Sequence, residues 1–156
     1  TAHRPGRLQR RAGLLVGDTS ADQPVAVRQL RPAAGLAAAL CWLQQWDHHA
    51  IAAHKQQLLQ QLYQGLQQFP AIELISQQQH NAGIVAFNIK AEHHSDVAAL
   101  LDQQHIAVRA GTHCAMPLFA AIGKAGAVRM SLAAYNSPQE IDRTLSAVSN
   151  VLEILS

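Results

Sequence analysis

Between His48 and Phe69 the chain sets Ile51, Leu58, Leu59, Leu62, Leu66 and Phe69 at the spacing of one helix face. Gln56, Gln57, Gln60, Gln61, Gln64, Gln67 and Gln68 lie largely on the other side. A helix striped in this way must bury its leucines against something else, because an isolated helix has little stability of its own. Pro70 ends it, since proline lacks the N–H that the next turn would need. Glutamine-rich tracts can also signal low complexity, but the regular leucines make this one a solvated helix face.

The partner for that stripe is sought downstream. Ile72–Ser76, Ile84–Ile89, Ile106–Val108 and Ala127–Ala133 are short apolar runs bounded by polar residues or glycine, and they read as strands. Ser95 is expected to cap a helix carrying Val97, Leu100 and Leu101, with Asp96 favoured in its first turn by the helix dipole. Arg109–Pro117 is expected to be a loop, and Leu118–Ile122 a single helical turn. Ser137 and Pro138 open a last helix whose face is Ile141, Leu145, Val148, Leu152 and Leu155. An earlier helix is expected over Leu36–Trp46, from apolar residues at 36, 39, 40, 43 and 46. The order is helix, helix, strand, strand, helix, strand, loop, strand, helix. It implies an α+β fold, with a small, mostly antiparallel sheet and helices packed on one face.

Residues 1–35 differ from the rest. They hold six arginines and two acids, a balance of +4, with three prolines and four glycines and no sustained period. Residues 36–156 hold three arginines, three lysines and eight acids, a balance of −2. The first segment therefore reads as an irregular basic arm, and residues 36–156 as the folded domain. Basic arms can bind nucleic acid, but this one has no aromatic residue on which bases could stack, so nucleic acid is not the expected partner. Arg10–Gly17 pairs two arginines with an apolar run too short for an export signal. No run is long enough to cross a membrane, and two cysteines are too few for a disulfide framework. A cytoplasmic location is expected.

Chemistry concentrates in Arg109-Ala110-Gly111-Thr112-His113-Cys114-Ala115-Met116-Pro117. A cysteine beside a histidine in a glycine-containing loop suits a reactive thiol, because nearby positive charge favours the thiolate. On the residues alone, a small buried hydrophobe is the favoured reading of Cys114. Cys41, next to Trp42 and Leu43, is expected in the core. His48-His49 and His93-His94 are adjacent pairs whose side chains should diverge on a helix, so no metal site is expected.

Residues 106–118 closely resemble the cysteine loop of group II cysteine desulfurases, which include the SUF-type enzymes and cysteine sulfinate desulfinase. Arg129-Met130-Ser131-Leu132-Ala133-Ala134-Tyr135-Asn136-Ser137 resembles the R-x-S-x-x-x-Y-N-[TS] block of that family, and His93-His94-Ser95-Asp96 with Leu100-Leu101 resembles its preceding helix. The resemblance covers roughly residues 36–156. It implies the C-terminal small domain of a fold type I pyridoxal-phosphate enzyme within the class V aminotransferases. It also implies that Cys114 carries the persulfide, that Arg129 grips the substrate carboxylate, that Arg109 supports it, and that His113 tunes the thiol. L-Cysteine or cysteine sulfinate would be substrate and alanine a product. A sulfur-acceptor protein and a second copy of the chain would be partners, as in iron–sulfur cluster assembly. Thr112 stands where histidine is commoner, which leaves the subtype open.

Two features depart from the family pattern. The Ser-x-His-Lys motif, whose lysine holds pyridoxal phosphate, is absent, and Lys55, Lys90 and Lys124 lie in other contexts. This stretch alone is therefore expected to be inactive. Residues 1–35 lack the family's Gly-Thr-Pro-containing stretch, which raises the expectation of an out-of-frame or disordered segment. Two other functions stand beside the leading one: a persulfide carrier that needs no pyridoxal phosphate, and an interaction domain with a basic arm. A bare helix and sheet face should make the chain associate. Sedimentation at high concentration is expected to show oligomers, and a clean monomer would contradict it.

Overall fold

A computed structural model describes residues 25–79 and 81–155, with side chains described from Pro32 onward. The basic arm through residue 24 lies outside the described residues, as do the side chains of Arg28 and Arg31. The chain divides into two units, Thr1–Trp46 and Asp47–Ser156.

In the first unit, α1 spans Val25–Leu43 and includes Pro32. This corrects the sequence expectation of irregular chain up to Gly35. The helix starts at Val25 and runs through Pro32 without a break. From Pro32 to Leu43 every residue is exposed, including Leu36, Leu40 and Leu43. Cys41 is therefore exposed too, not core as expected, because this helix buries none of its described side chains. Trp42 and Trp46 meet edge to face at 5.3 Å.

The second unit begins with a cap. Asp47 accepts the backbone N–H of His49 at 2.9 Å and of Ala50 at 3.1 Å, satisfying two donors at the start of α2, His48–Gln67. Leu58, Leu59, Leu62, Tyr63 and Leu66 are buried along it, so most of the predicted leucine stripe faces the core. The sheet follows, with β1 at Ile72–Leu74 and β2 at Ile84–Ile89. Next come α3 (His94–Gln103), β3 (Arg109–Gly111), α4 (Met116–Ala121), β4 (Ala127–Ser131) and α5 (Pro138–Leu155). At α5, Ser137 and Glu140 form a reciprocal cap. Glu140 accepts the Ser137 N–H at 2.7 Å, and the Ser137 hydroxyl oxygen accepts the Glu140 N–H at 3.3 Å. The Ser137 N–H and the Asn136 amide hold the Glu140 carboxyl below its usual value.

The sheet order is β1-β2-β4-β3, and every pairing is antiparallel. Alternation along β2 sends Val85, Phe87 and Ile89 to one face, where they join Val128 and Met130 of β4. Leu58, Leu59, Leu62 and Leu66 of α2, Val97 and Leu101 of α3, and Ile141, Val148 and Val151 of α5 complete a single core on that face. The fold is α+β with its helices on one side, as expected.

Two strand positions differ from expectation. Ile106–Val108 is not in the ladder. Ile106 and Val108 pack against the core, and the pairing starts at Arg109, opposite Arg129. The expected loop therefore contributes its first three residues to the sheet. His93, not Ser95, caps α3, with Nδ1 accepting the Ser95 N–H at 3.3 Å.

Phe87 is fully buried at the centre of this core. Phe87→Ala is expected to lower unfolding free energy by about 3–5 kcal/mol, read as a lower urea midpoint. An unchanged midpoint would contradict the core assignment.

Candidate active site

The helix-free face of the sheet carries the arginines. Val128 and Met130 face the core, so Arg129 between them faces the other way, where it is half-buried. Its cross-strand partner on β2 is Ala86, and on β3 it is Arg109. Residues directly opposite each other share a face, so the two guanidinium-bearing residues stand side by side. Ala86 is too small to screen Arg129 from its other flank. Neither arginine has a carboxylate partner among the described residues; the ion pair there joins Lys124 to Glu73 at 2.6 Å. The Arg129 Nε is buried and makes no hydrogen bond. In the next row, Asn88 donates to the Gly126 carbonyl at 2.8 Å, and its Oδ1 is buried without a partner.

Past Arg109 the backbone turns sharply. Gly111 has φ +121°, a conformation L side chains rarely adopt, although a Cβ there would meet nothing within 4 Å. Its role is therefore conformational, not one of space. Ala115 N–H closes a turn on the Thr112 carbonyl at 2.8 Å. Inside that turn His113 and Cys114 are both left-handed, with φ 51° and 60°. Two such non-glycine residues in succession are strained by about 1–2 kcal/mol each, so other contacts must hold them. One is visible: His113 Nε2 lies 3.1 Å from the Ala127 carbonyl, and its ring is 6.3 Å from that of Phe119, which is buried on α4. Cys114 is exposed. The small-buried-hydrophobe reading of this cysteine therefore does not hold.

All four residues singled out in the sequence thus lie on β3, β4 or the turn between β3 and α4. Two surface hollows, of about 350 Å³ and 200 Å³, contain none of Cys114, Arg109 and Arg129. Arg109 and Cys114 are exposed, and His113 and Arg129 are half-buried.

Sequence reasoning missed His94. The expectation that His93 and His94 diverge is wrong, because His93 sits outside the helix with extended backbone, at φ −81° and ψ 132°. Their rings lie 4.1 Å apart, and burial with neighbouring His93 and His113 lowers the His94 pKa. The signal available in the sequence was a histidine immediately before a helix start. No group of three potential metal ligands occurs among the described residues. No described helix is long and apolar enough to cross a membrane.

The lysines bear on cofactor chemistry. Lys124 is engaged by Glu73, Lys90 donates to the Pro70 carbonyl at 2.7 Å, and Lys55 lies against Gly83.

The α+β fold, with its one-sided antiparallel sheet, is consistent with a single domain of a fold type I pyridoxal-phosphate enzyme. The chain belongs to the class-V aminotransferase family, whose model matches residues 25–144. It is 44% identical over 123 residues to the "Probable cysteine desulfurase" of Vibrio cholerae, covering 79% of this chain and 30% of that one. It is 33% identical over 154 residues to a cysteine desulfurase of Serratia proteamaculans, covering 96% and 38%. That second match reaches into residues 1–35. The crystal structure of the Escherichia coli cysteine desulfurase CsdA superposes with a TM-score of 0.72 at 35% identity, covering 77% of this chain and 30% of that one. The chain thus spans about a third of the length of the relatives it matches.

Two like charges set opposite each other on adjacent strands destabilise the sheet unless an anion lies between them. Sulfate is expected to raise the thermal midpoint, by about 4 °C per kcal/mol of binding in a domain of this size, and more than chloride at equal ionic strength. Arg129→Ala should shrink the difference to what sulfate's general exclusion from protein surfaces supplies. Equal effects of the two salts would contradict an anion site.

Proposed function

We propose that this chain is the sulfur-accepting, carboxylate-gripping portion of a cysteine desulfurase or cysteine sulfinate desulfinase. Supporting this reading is the pairing of Arg109 with Arg129 on the open sheet face, without a carboxylate partner, at the base of the turn that presents Cys114. A planar guanidinium binds both oxygens of a carboxylate, and Arg129, half-buried with an unpartnered Nε, is the better placed of the two. Arg109 adds charge from the exposed edge. Cys114 accepts the sulfur as a thiolate, and His113, pinned to the Ala127 carbonyl, orients the turn that carries it.

We infer that pyridoxal phosphate is not held by this stretch alone. When bound in the family, it supplies the electron sink that lets the substrate's carbon–sulfur bond break. Its attachment lysine, the partner for its ring nitrogen and its phosphate cup would all have to come from sequence outside residues 36–156. The three lysines here are placed as described, without the Ser-x-His-Lys context. The open surface around Cys114 fits a part of a site completed by another surface. For residues 1–35 the out-of-frame reading is a proposal that the match reaching into them weighs against; it is decided by whether a single-base shift in the coding DNA restores a Gly-Thr-Pro-like stretch.

A second reading, a persulfide carrier, draws on the exposure of Cys114. Both are tested together. The chain with pyridoxal phosphate and L-cysteine is expected to form no alanine. A chimera in which residues 36–156 replace the matching part of Escherichia coli CsdA is expected to form it. In that chimera Arg129→Ala should cost about 2–4 kcal/mol in kcat/KM, roughly 30- to 1000-fold. Cys114→Ala should abolish cysteine turnover while sparing cysteine sulfinate. Alanine formed by the chain alone would overturn the inference that the cofactor is held elsewhere, and a Cys114→Ala chimera fully active on cysteine would discard the desulfurase reading. A sulfur added at Cys114 by a persulfide donor, with an inactive chimera, would favour the carrier.

A further inference from the structure

Gly126, the residue before β4, is closed in from two sides. A Cβ added there would lie 2.8 Å from His94 Cε1, 2.9 Å from His94 Nε2 and 2.9 Å from the carbonyl carbon of Gly111. Real Cβ atoms essentially never come so near, and one of the three contacts is backbone, which cannot swing aside. The start of α3, the end of β3 and the start of β4 therefore meet at one small seam. The residue after Gly126 is Ala127. It is buried, it pairs with Gly111, and its carbonyl is the group that His113 Nε2 approaches at 3.1 Å. His113 is followed directly by Cys114, and both are left-handed. A left-handed pair of non-glycine residues relaxes unless something fixed holds it. The fixed element is the Ala127 carbonyl, and what packs against the peptide before it is the His94 ring.

We propose that His94 is a positioning residue for Cys114. Its ring holds Gly126 and Ala127 against the end of β3 and so fixes the carbonyl on which His113, and with it the thiol, is anchored. His94 touches neither the thiol nor a substrate in this scheme; it acts through Gly126, Ala127 and His113. That the thiol so positioned receives sulfur rests on the functional reading above, whereas the positioning does not.

The character of the ring follows from its surroundings. Burial first, then the neighbouring His93 and His113, push its pKa below the ordinary histidine value of 6.5, against a smaller opposing pull from Asp96. At neutral pH the wedge is an uncharged aromatic ring. Its bulk, not its charge, is what the seam uses, so phenylalanine should replace it and alanine should not.

The chain carries its own reference for the test. Cys41 and Cys114 are both free and exposed, and Cys41 belongs to the first unit whereas the seam's residues belong to the second. The full chain, its H94A variant and its H94F variant would be alkylated with iodoacetamide at pH 7.5, and modification at the two cysteines followed by mass spectrometry. Hydrogen exchange of the peptide 109–117 would be measured in parallel. In H94A the ratio of Cys114 to Cys41 alkylation is expected to fall about threefold or more as His113 loses its fixed place beside the thiol. Exchange in 109–117 is expected to rise. H94F is expected to restore both. A role confined to starting α3 would raise exchange in 94–103 and leave the alkylation ratio alone. An unchanged ratio in folded H94A, or an H94F variant as perturbed as H94A, overturns the proposal. Should H94A fail to fold, G126A takes its place, since its Cβ must displace the ring or the β3 end; an unaltered ratio there overturns it equally. Failure of sulfur transfer to Cys114, with the alkylation result as expected, would sink the functional reading and leave the positioning intact.

Discussion

The register of β4 is the constraint on which the rest depends. The strand lies between β2 and β3, so a single alternation decides what enters the core and what reaches the open face. Val128 and Met130 close the helical core, while Arg129 faces away from it opposite Ala86 and Arg109. A slip of one residue would drive a guanidinium into hydrocarbon and expose two core side chains. Burying an unpaired charge costs far more than a strand pairing returns, so the hydrophobic pattern that builds the domain also aims the arginine. Stability and the candidate site are set by the same five residues.

Much of this was legible in the sequence because it rests on local chemistry. The α2 stripe, the alternating 84–89 strand and the Ser137–Glu140 cap are patterns whose cause lies within a few residues. What escaped notice is non-local. Arg109–Gly111 reads as loop by composition and becomes strand only because β4 offers a free edge. Ile106 and Val108 look like strand and are instead apolar anchors that bring the chain to that edge. Cys41 has core-like neighbours, yet helix α1 buries none of its described side chains, and nothing local foretells that. The pairing of the two arginines could not be read at all, since residues 20 apart acquire a relation only through register.

The cysteine turn presents a different balance of forces. Its glycine is used for backbone freedom at 111, while the glycine at 126 is used for closeness. Between them sit two left-handed residues that their own sequence does not favour. A flexible loop would avoid that strain, and a loop buried in the core would hide the thiol. The observed arrangement does neither. It spends conformational energy to hold a sulfur atom outward at the end of a rigid sheet, where its position is inherited from the strands.

That inheritance explains why an open surface can still be a specific one. Neither of the two surface hollows is lined by Cys114, Arg109 or Arg129. On the proposed function, selectivity would rest on the fixed offset between two guanidinium groups on adjacent strands and a thiol on the turn that leaves one of them. The offset is rigid only if the turn is tied to β4 independently of β3. The His113 contact with the Ala127 carbonyl supplies that second tie, and the meeting of His94, Gly111 and Gly126 supports the peptide behind it. On the proposed function, an anion gripped at 129 and a sulfur accepted at 114 would then be referred to the same strand, which is the geometric condition for moving an atom from the bound substrate to the thiol.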